Sequence, residues 1–193
     1  MGKLIGLMKP ERRVHPSSQT NWALYGLAGG HKTATGKDID EKTALTSTIV
    51  FACIQCLAQT VSSLPLVLYE KIDENSRERA VDHPLYKVLH DNPNPEMISM
   101  VFRETMMLHL TAWGNFYADI ARNGAGQISE LWPLRPDKML SVERINGSLY
   151  YRYILPSGEE RLLPRERVLH VPALGYDGIQ GYSPIAQCKE SIG

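Results

Sequence analysis

Between Ala44 and Ser63 an apolar residue returns at every fourth position: Leu45, Ile49, Cys53, Leu57 and Val61. That spacing stacks the five side chains on one face of an α-helix. Val50, Ile54 and Ala58 widen the stripe, so the helix is expected to be substantially buried. Pro65 disfavours helical geometry at Leu64 and ends the run. Whatever this chain builds, it builds against that helix.

Downstream, Leu66–Lys71 reads as a strand, Asp73–Ser76 as a turn and Arg77–Val81 as a returning strand. Asp82 or His83 caps a short helix with Pro84 at its first position and Leu85, Val88 and Leu89 on its apolar face. Asn92, Pro93, Asn94 and Pro95 punctuate the chain. A second long helix is predicted from about Met100 to Trp113, capped by Ser99 and stopped by Gly114. Beyond Gly114 the pattern changes to β. Phe116–Arg122 and Ile128–Leu134 flank a turn at Asn123–Gly126. Leu140–Arg144 and Ser148–Leu155 flank Ile145-Asn146-Gly147, and Asn-Gly signals a tight hairpin. Pro156-Ser157-Gly158 is another turn, and Arg161–Leu163 and Val168–Val171 are short strands. Ser183 and Pro184 open a last helix as cap and first-turn proline. The fold class predicted is α+β, two main helices followed by an antiparallel β-rich region. The last helix meets no stop signal before Gly193. Some ten residues without a partner make a marginal helix, so a longer protein is expected to continue from it.

Residues 1–40 show neither period, and isolated apolar residues (Trp22, Leu24, Tyr25, Leu27) stand among Gly, Ser, Thr, Pro and Lys. Six basic residues against Glu11, Asp38 and Asp40 give the segment a charge of +3. It is predicted to be a flexible arm, with residues 41–182 as the folded domain and 183–193 as the start of the last helix. At 193 residues, a chain buries roughly 70% of its unfolded surface on folding, enough for a real core. Twenty-one basic residues balance 21 acidic ones, which disfavours a dedicated nucleic-acid reader and eases self-association. No apolar run approaches a membrane span. The N-terminal residues do not read as a signal peptide, and the three cysteines are expected to be reduced thiols.

Candidate chemistry is sparse. Cys53 and Cys56 form a C-x-x-C in the middle of the first helix. Lacking a second pair and a helix N-terminus, they read as core residues. Gly29-Gly30-His31-Lys32-Thr33 puts His31 where a phosphate loop needs Gly before Lys. His15, His31, His83, His90, His109 and His170 form no H-x-x-x-H. His109 and His170 read as satisfied structural histidines. Tyr150, Tyr151, Arg152 and Tyr153 could stack bases, but hairpin alternation places Tyr151 and Tyr153 on one face and Tyr150 on the other. No catalytic, cofactor or metal residue is assigned, and no cofactor is expected.

The order of segments resembles the portal proteins of tailed bacteriophages over about residues 44–193. The pieces are Val61-Ser62-Ser63-Leu64-Pro65-Leu66-Val67-Leu68-Tyr69, Asp82-His83-Pro84-Leu85 leading to Asn92-Pro93-Asn94, Phe102 leading to Gly114-Asn115-Phe116-Tyr117, Gly126 with Leu131-Trp132-Pro133-Leu134-Arg135-Pro136, Val168-Leu169-His170-Val171, and Asp177-Gly178-Ile179-Gln180-Gly181-Tyr182-Ser183-Pro184-Ile185. The family's structural positions are matched at Pro65, Pro84, Asn92, Pro93, Gly114, Asn115, Pro133, Leu134, His170, Asp177, Gly178, Gly181, Ser183 and Pro184. The resemblance implies a non-enzymatic ring subunit, usually one of twelve, at one vertex of a virion. Such a ring passes double-stranded DNA without sequence specificity and is assembled in the host cytoplasm. Implied partners are other copies, the large terminase subunit, capsid or scaffolding protein and a head–tail adaptor, with no membrane. This chain would form the outer wing, its last helix leading towards the stem. Rival readings are another connector or minor capsid protein, a remnant of a degraded prophage, and a thiol or hydrolase enzyme using Cys53, Cys56 or His170.

Overall fold

The computed structural model describes residues 39–175 and 177–192. The expected arm and Gly29–Thr33 therefore lie outside the described residues, except for Ile39 and Asp40, which belong to the packed body. Ile39 is buried, and Asp40 caps helix α1 (Glu41–Ala44) in a reciprocal box: Thr43 N–H donates to Asp40 Oδ1 at 2.7 Å, and Asp40 N–H donates to Thr43 Oγ1 at 2.8 Å. The predicted first helix is broken near its start. Thr46 turns its hydroxyl back to the Thr43 carbonyl, 2.6 Å away. This local bond competes with helix propagation, and α2 runs Thr48–Ser62.

Strands β1 (Tyr69–Lys71) and β2 (Arg77–Arg79) form an exposed antiparallel hairpin shorter than predicted. Helix α3 (Pro84–His90) carries the expected Pro at its first position and is capped by His83, whose Nδ1 accepts from Leu85 N–H at 3.2 Å. Helix α4 (Ser99–Trp113) begins one residue before the predicted Met100. Its N-cap is Ile98, because the Ser99 hydroxyl donates to the His90 carbonyl instead, tying α4 to α3.

From Gly114 onward the strands follow the predicted pattern: β3 (Asn115–Arg122), β4 (Ile128–Leu134), β5 (Met139–Ile145), β6 (Ser148–Ile154), β7 (Glu160–Pro164) and β8 (Val168–Pro172). Two antiparallel three-stranded sheets result, ordered β4-β3-β8 and β5-β6-β7. Asn146 and Gly147 adopt the left-handed conformation (φ 49° and 86°) that the two-residue hairpin turn requires.

These sheets and helices stack in three layers. Tyr117 of β3, Val168 of β8, Val142 of β5, Leu149, Tyr151 and Tyr153 of β6, and Leu163 of β7 fill the space between the sheets. The alternate residues of β3, Phe116 and Ala118, face the other way onto Val88 of α3 and Phe102 of α4. Strand β3 is thus buried on both faces. A third cluster joins Ile39, Ala44, Ile54 and Ala112 to Ile185 of the last helical segment, formed by α5 (Pro184–Gln187) and α6 (Lys189–Ile192).

Two readings of α2 are overturned. Only Ile54, Ala58 and Ser62 are buried, with Val50 and Val61 half-buried. Ile49 is 77% exposed and Leu57 52%, and both Cys53 and Cys56 face solvent. The every-fourth stripe from Leu45 to Val61 is therefore largely the outer face, and the inner one is its neighbour at Val50, Ile54 and Ala58. A helix apolar all round carries no period that says which side meets its own domain.

Candidate functional site

The most constrained point in the body is where β3 begins, β8 ends and the chain turns into α5. Gly114 closes α4 in the left-handed conformation (φ 72°) and bonds back to Leu110. Its carbonyl accepts from Ala173 N–H at 2.9 Å. The segment 180–183 crosses directly over it. A Cβ on Gly114 would lie 1.9 Å from the Tyr182 carbonyl oxygen, and one on Gly181 would lie 2.1 Å from the Gly114 carbonyl oxygen. Two backbones touch here because neither carries a side chain.

Asn115 locks the crossing. Its Nδ2 donates to the Gly181 carbonyl at 2.8 Å, and its Oδ1 accepts from Gly181 N–H at 2.9 Å. His170 Nε2 lies 3.1 Å from the same Oδ1. An amide oxygen only accepts, so Nε2 carries the proton and Nδ1 is left to accept from the Tyr151 hydroxyl, 3.4 Å away. Tyr117 stacks on the imidazole with centroids 4.4 Å apart, and Tyr151 meets it edge-on. Burial, with the Arg165 charge adding to it, lowers the His170 pKa to about 4 and keeps the ring neutral. Burial also pushes the Tyr117 hydroxyl far above its ordinary range.

Ser183 continues the joint. Its hydroxyl lies 2.8 Å from the Ala112 carbonyl and 2.9 Å from Glu41 Oε1, and it accepts from Ala186 N–H at 3.0 Å. One side chain thus ties α4, α1 and the start of α5. Asp177 Oδ1 accepts from Ile179 and Gln180 N–H (2.9 and 3.1 Å), and Gly178 (φ 68°) completes the turn into the crossing.

The residues singled out in the sequence fall into two groups. Gly114, Asn115, His170, Gly181, Ser183 and Pro184 meet at this joint, and Asp177 and Gly178 shape the loop leading into it. Pro65, Pro84, Asn92, Pro93, Pro133 and Leu134 lie elsewhere. Pro65 follows α2, and Pro84 starts α3. Pro93 is fully buried, its carbonyl accepting from Leu131 N–H at 2.7 Å. Pro133 and Leu134 sit in β4, opposite Ala118 and Tyr117. Asn92 is exposed, and the buried polar residue of that turn is its neighbour Asn94, whose Nδ2 donates to the Leu131 carbonyl at 2.8 Å. Its partner stands 37 residues away, beyond any local signal.

Tyr151 and Tyr153 are core residues, which removes the base-stacking reading of the hairpin. Arg152 is held on the outer face between Glu143 (3.0 Å) and Glu160 (3.3 Å). His109 is mostly buried, but it departs from the expected satisfied histidine, because its Nδ1 finds no partner. Desolvation, only partly opposed by Asp137, lowers its pKa to about 4. Asp137 is gripped by Arg135 (2.7 Å) and Lys42 (2.9 Å). Burial pushes that carboxyl up, but these two cations outweigh it and hold it below the ordinary range. Among the described residues, no three His, Cys, Asp or Glu side chains converge to hold a metal, and no helix is long and apolar enough to cross a membrane.

Replacing Asn115 with Ala removes both bonds to Gly181 and leaves its N–H, its carbonyl and the His170 Nε2–H without their partner. The expected cost is about 3 kcal/mol. Amide exchange should speed up first at residues 179–186, well before the sheets open, and exchange measured residue by residue checks this.

The described residues form a layered α+β body whose tightest contacts hold one chain segment against another. The chain belongs to the phage portal protein family, whose profile matches residues 48–193. It is 31% identical over 170 residues to the portal protein of Enterobacteria phage HK97, covering 87% of this chain and 39% of that protein. It is 30% identical over 185 residues to the probable portal protein of Streptomyces phage phiC31, covering 89% and 38%. The fold is shared with a chain in the neck of an empty gene transfer agent (GTA) particle computed with C6 symmetry, at a TM-score of 0.67 and 18% identity, covering 90% of this chain and 48% of that one. A native GTA neck computed with C12 symmetry matches at 0.61 and 17%, covering 78% and 39%. The chain spans about two fifths of the length of these portal relatives.

Proposed function

We propose that this chain is the outer, wing-forming part of a portal subunit, and that the whole protein assembles into a ring, of twelve copies as the family suggests, at one vertex of a virion. Double-stranded DNA passes along the ring's axis. The ring offers docking surfaces to the large terminase subunit, to capsid or scaffolding protein and to a head–tail adaptor, and it is assembled in the host cytoplasm. ATP hydrolysis belongs to the motor, and the ring performs no chemistry of its own. The family match over residues 48–193 carries this reading. The clamp at Asn115 supports it, because it fixes the direction in which the chain leaves the sheets through α5 and α6. A neutral chain suits a conduit, since a strongly basic one would hold phosphates by counterion release and resist sliding. Electron microscopy of the full-length protein tests the proposal: closed rings are expected.

A further inference from the structure

The face of α2 that the body leaves uncovered demands an occupant. From Thr43 to Tyr69 the sequence contains no Asp, Glu, Lys or Arg. Helix α2 lies within that stretch and buries only its narrow inner stripe. The outer side presents Ile49 and Leu57, both more than half exposed, with the exposed Cys53 and Cys56 between them and Leu64 (64%) and Leu66 (48%) just beyond. Four large apolar side chains and two thiols in this state leave on the order of 500 Å² of uncovered surface, near the ceiling for monomers and a large share of the ~800 Å² per partner of a stable interface. The exposed Ile98, Met100 and Val101 of the α4 end stand at the same end of the helix pair, where Arg103 Nη2 donates to the Ser62 carbonyl at 2.9 Å.

We infer that this face is the seat of a neighbouring copy of the same protein. The inference rests on the portal reading and names the surface through which the ring closes. A surface that meets the motor or the adaptor must stand in water before that partner arrives or after it leaves, so it keeps charges. A face without a single charge fits a contact that persists once formed, and the permanent partner of a ring subunit is the next subunit. Obligate contacts of this kind are the apolar ones, and a ring joins two different faces of each subunit, so the occupant is another part of the neighbour's surface.

The test uses the full-length protein with Ile49→Asp and, separately, Leu57→Asp. Both side chains are exposed in the single body, and an acidic residue is well placed near the N-terminus of α2, so the fold should survive. The expected result is an unchanged circular dichroism spectrum with at least a tenfold rise in the concentration needed for assembly. Cys53 and Cys56 report on the same face. Mapped by peptide mass, their N-ethylmaleimide modification should be at least tenfold slower in assembled wild-type protein than in Ile49→Asp monomers. Rings forming as readily from Ile49→Asp and Leu57→Asp would overturn the inference and leave the portal reading intact. So would equal thiol reactivity in the two states, or thiols already protected in the monomer by another part of the same polypeptide. Wild-type protein monomeric at every concentration would overturn both.

Discussion

Replacing Gly181 with Ala is expected to lower the thermal midpoint by about 10 °C or more. The added Cβ would meet the Gly114 carbonyl oxygen at 2.1 Å and Ala173 N at 2.6 Å, both backbone atoms that no rotamer change can move. Overpacking of this kind costs about 1–3 kcal/mol. Any shift of segment 180–183 also breaks the paired bonds to Asn115, adding about 1–3 kcal/mol. At roughly 2–4 °C per kcal/mol for a chain of this size, the sum is a large part of the stability of an ordinary domain. Gly124→Ala is the control, because nothing lies within 4 Å of its Cβ position. Its midpoint should move by no more than a degree or two. Calorimetry of the two variants beside the parent gives the comparison, and equal midpoints would show that the crossing is not constrained as described.

Acid should destabilise the protein well above the pH at which its carboxylates protonate. His109 and His170 have folded pKa values near 4 against an ordinary value of 6.5. In that window the unfolded chain binds protons that the folded chain refuses, so stability rises with pH. It is complete above about 6.5 and is lost as pH falls towards 4. Each histidine accounts for about 3 kcal/mol over the window, so the slope approaches about 2.7 kcal/mol per pH unit when both act. Asp40, Asp137 and Glu143, whose pKa values are lowered, add to the loss only nearer and below their ordinary values. Urea denaturation at half-unit steps from pH 7 to 5 isolates the histidines. His170→Gln should roughly halve the slope, and a flat profile would mean that neither ring is held neutral by burial.

The β half of the fold was legible because its signals are local. Asn146-Gly147 needs only its own backbone to dictate a turn, and Gly114 needs only its own φ to end a helix. The alternation that sent Tyr151 and Tyr153 inward, away from any role in base stacking, is equally a property of one strand. The joint was only half legible. Gly114, Asn115, His170, Gly181 and Ser183 could be picked out as members of a pattern. That Asn115 grips Gly181, 66 residues on, depends on two backbones crossing, which no window of sequence contains. That Asn94 and not Asn92 is the buried member of its turn likewise depends on Leu131, 37 residues on. The misreading of α2 is of another kind. Periodicity reports an apolar face but not what covers it, and Cys53, Cys56 and Leu57 stand exposed in the described body.

Negative-stain images of the purified full-length protein bear most directly on the central claim. The account predicts closed rings of uniform subunit number, with an open centre wide enough for duplex DNA and this layered body in the outer lobe. A uniformly monomeric particle, or a closed assembly with no axial opening, would contradict it.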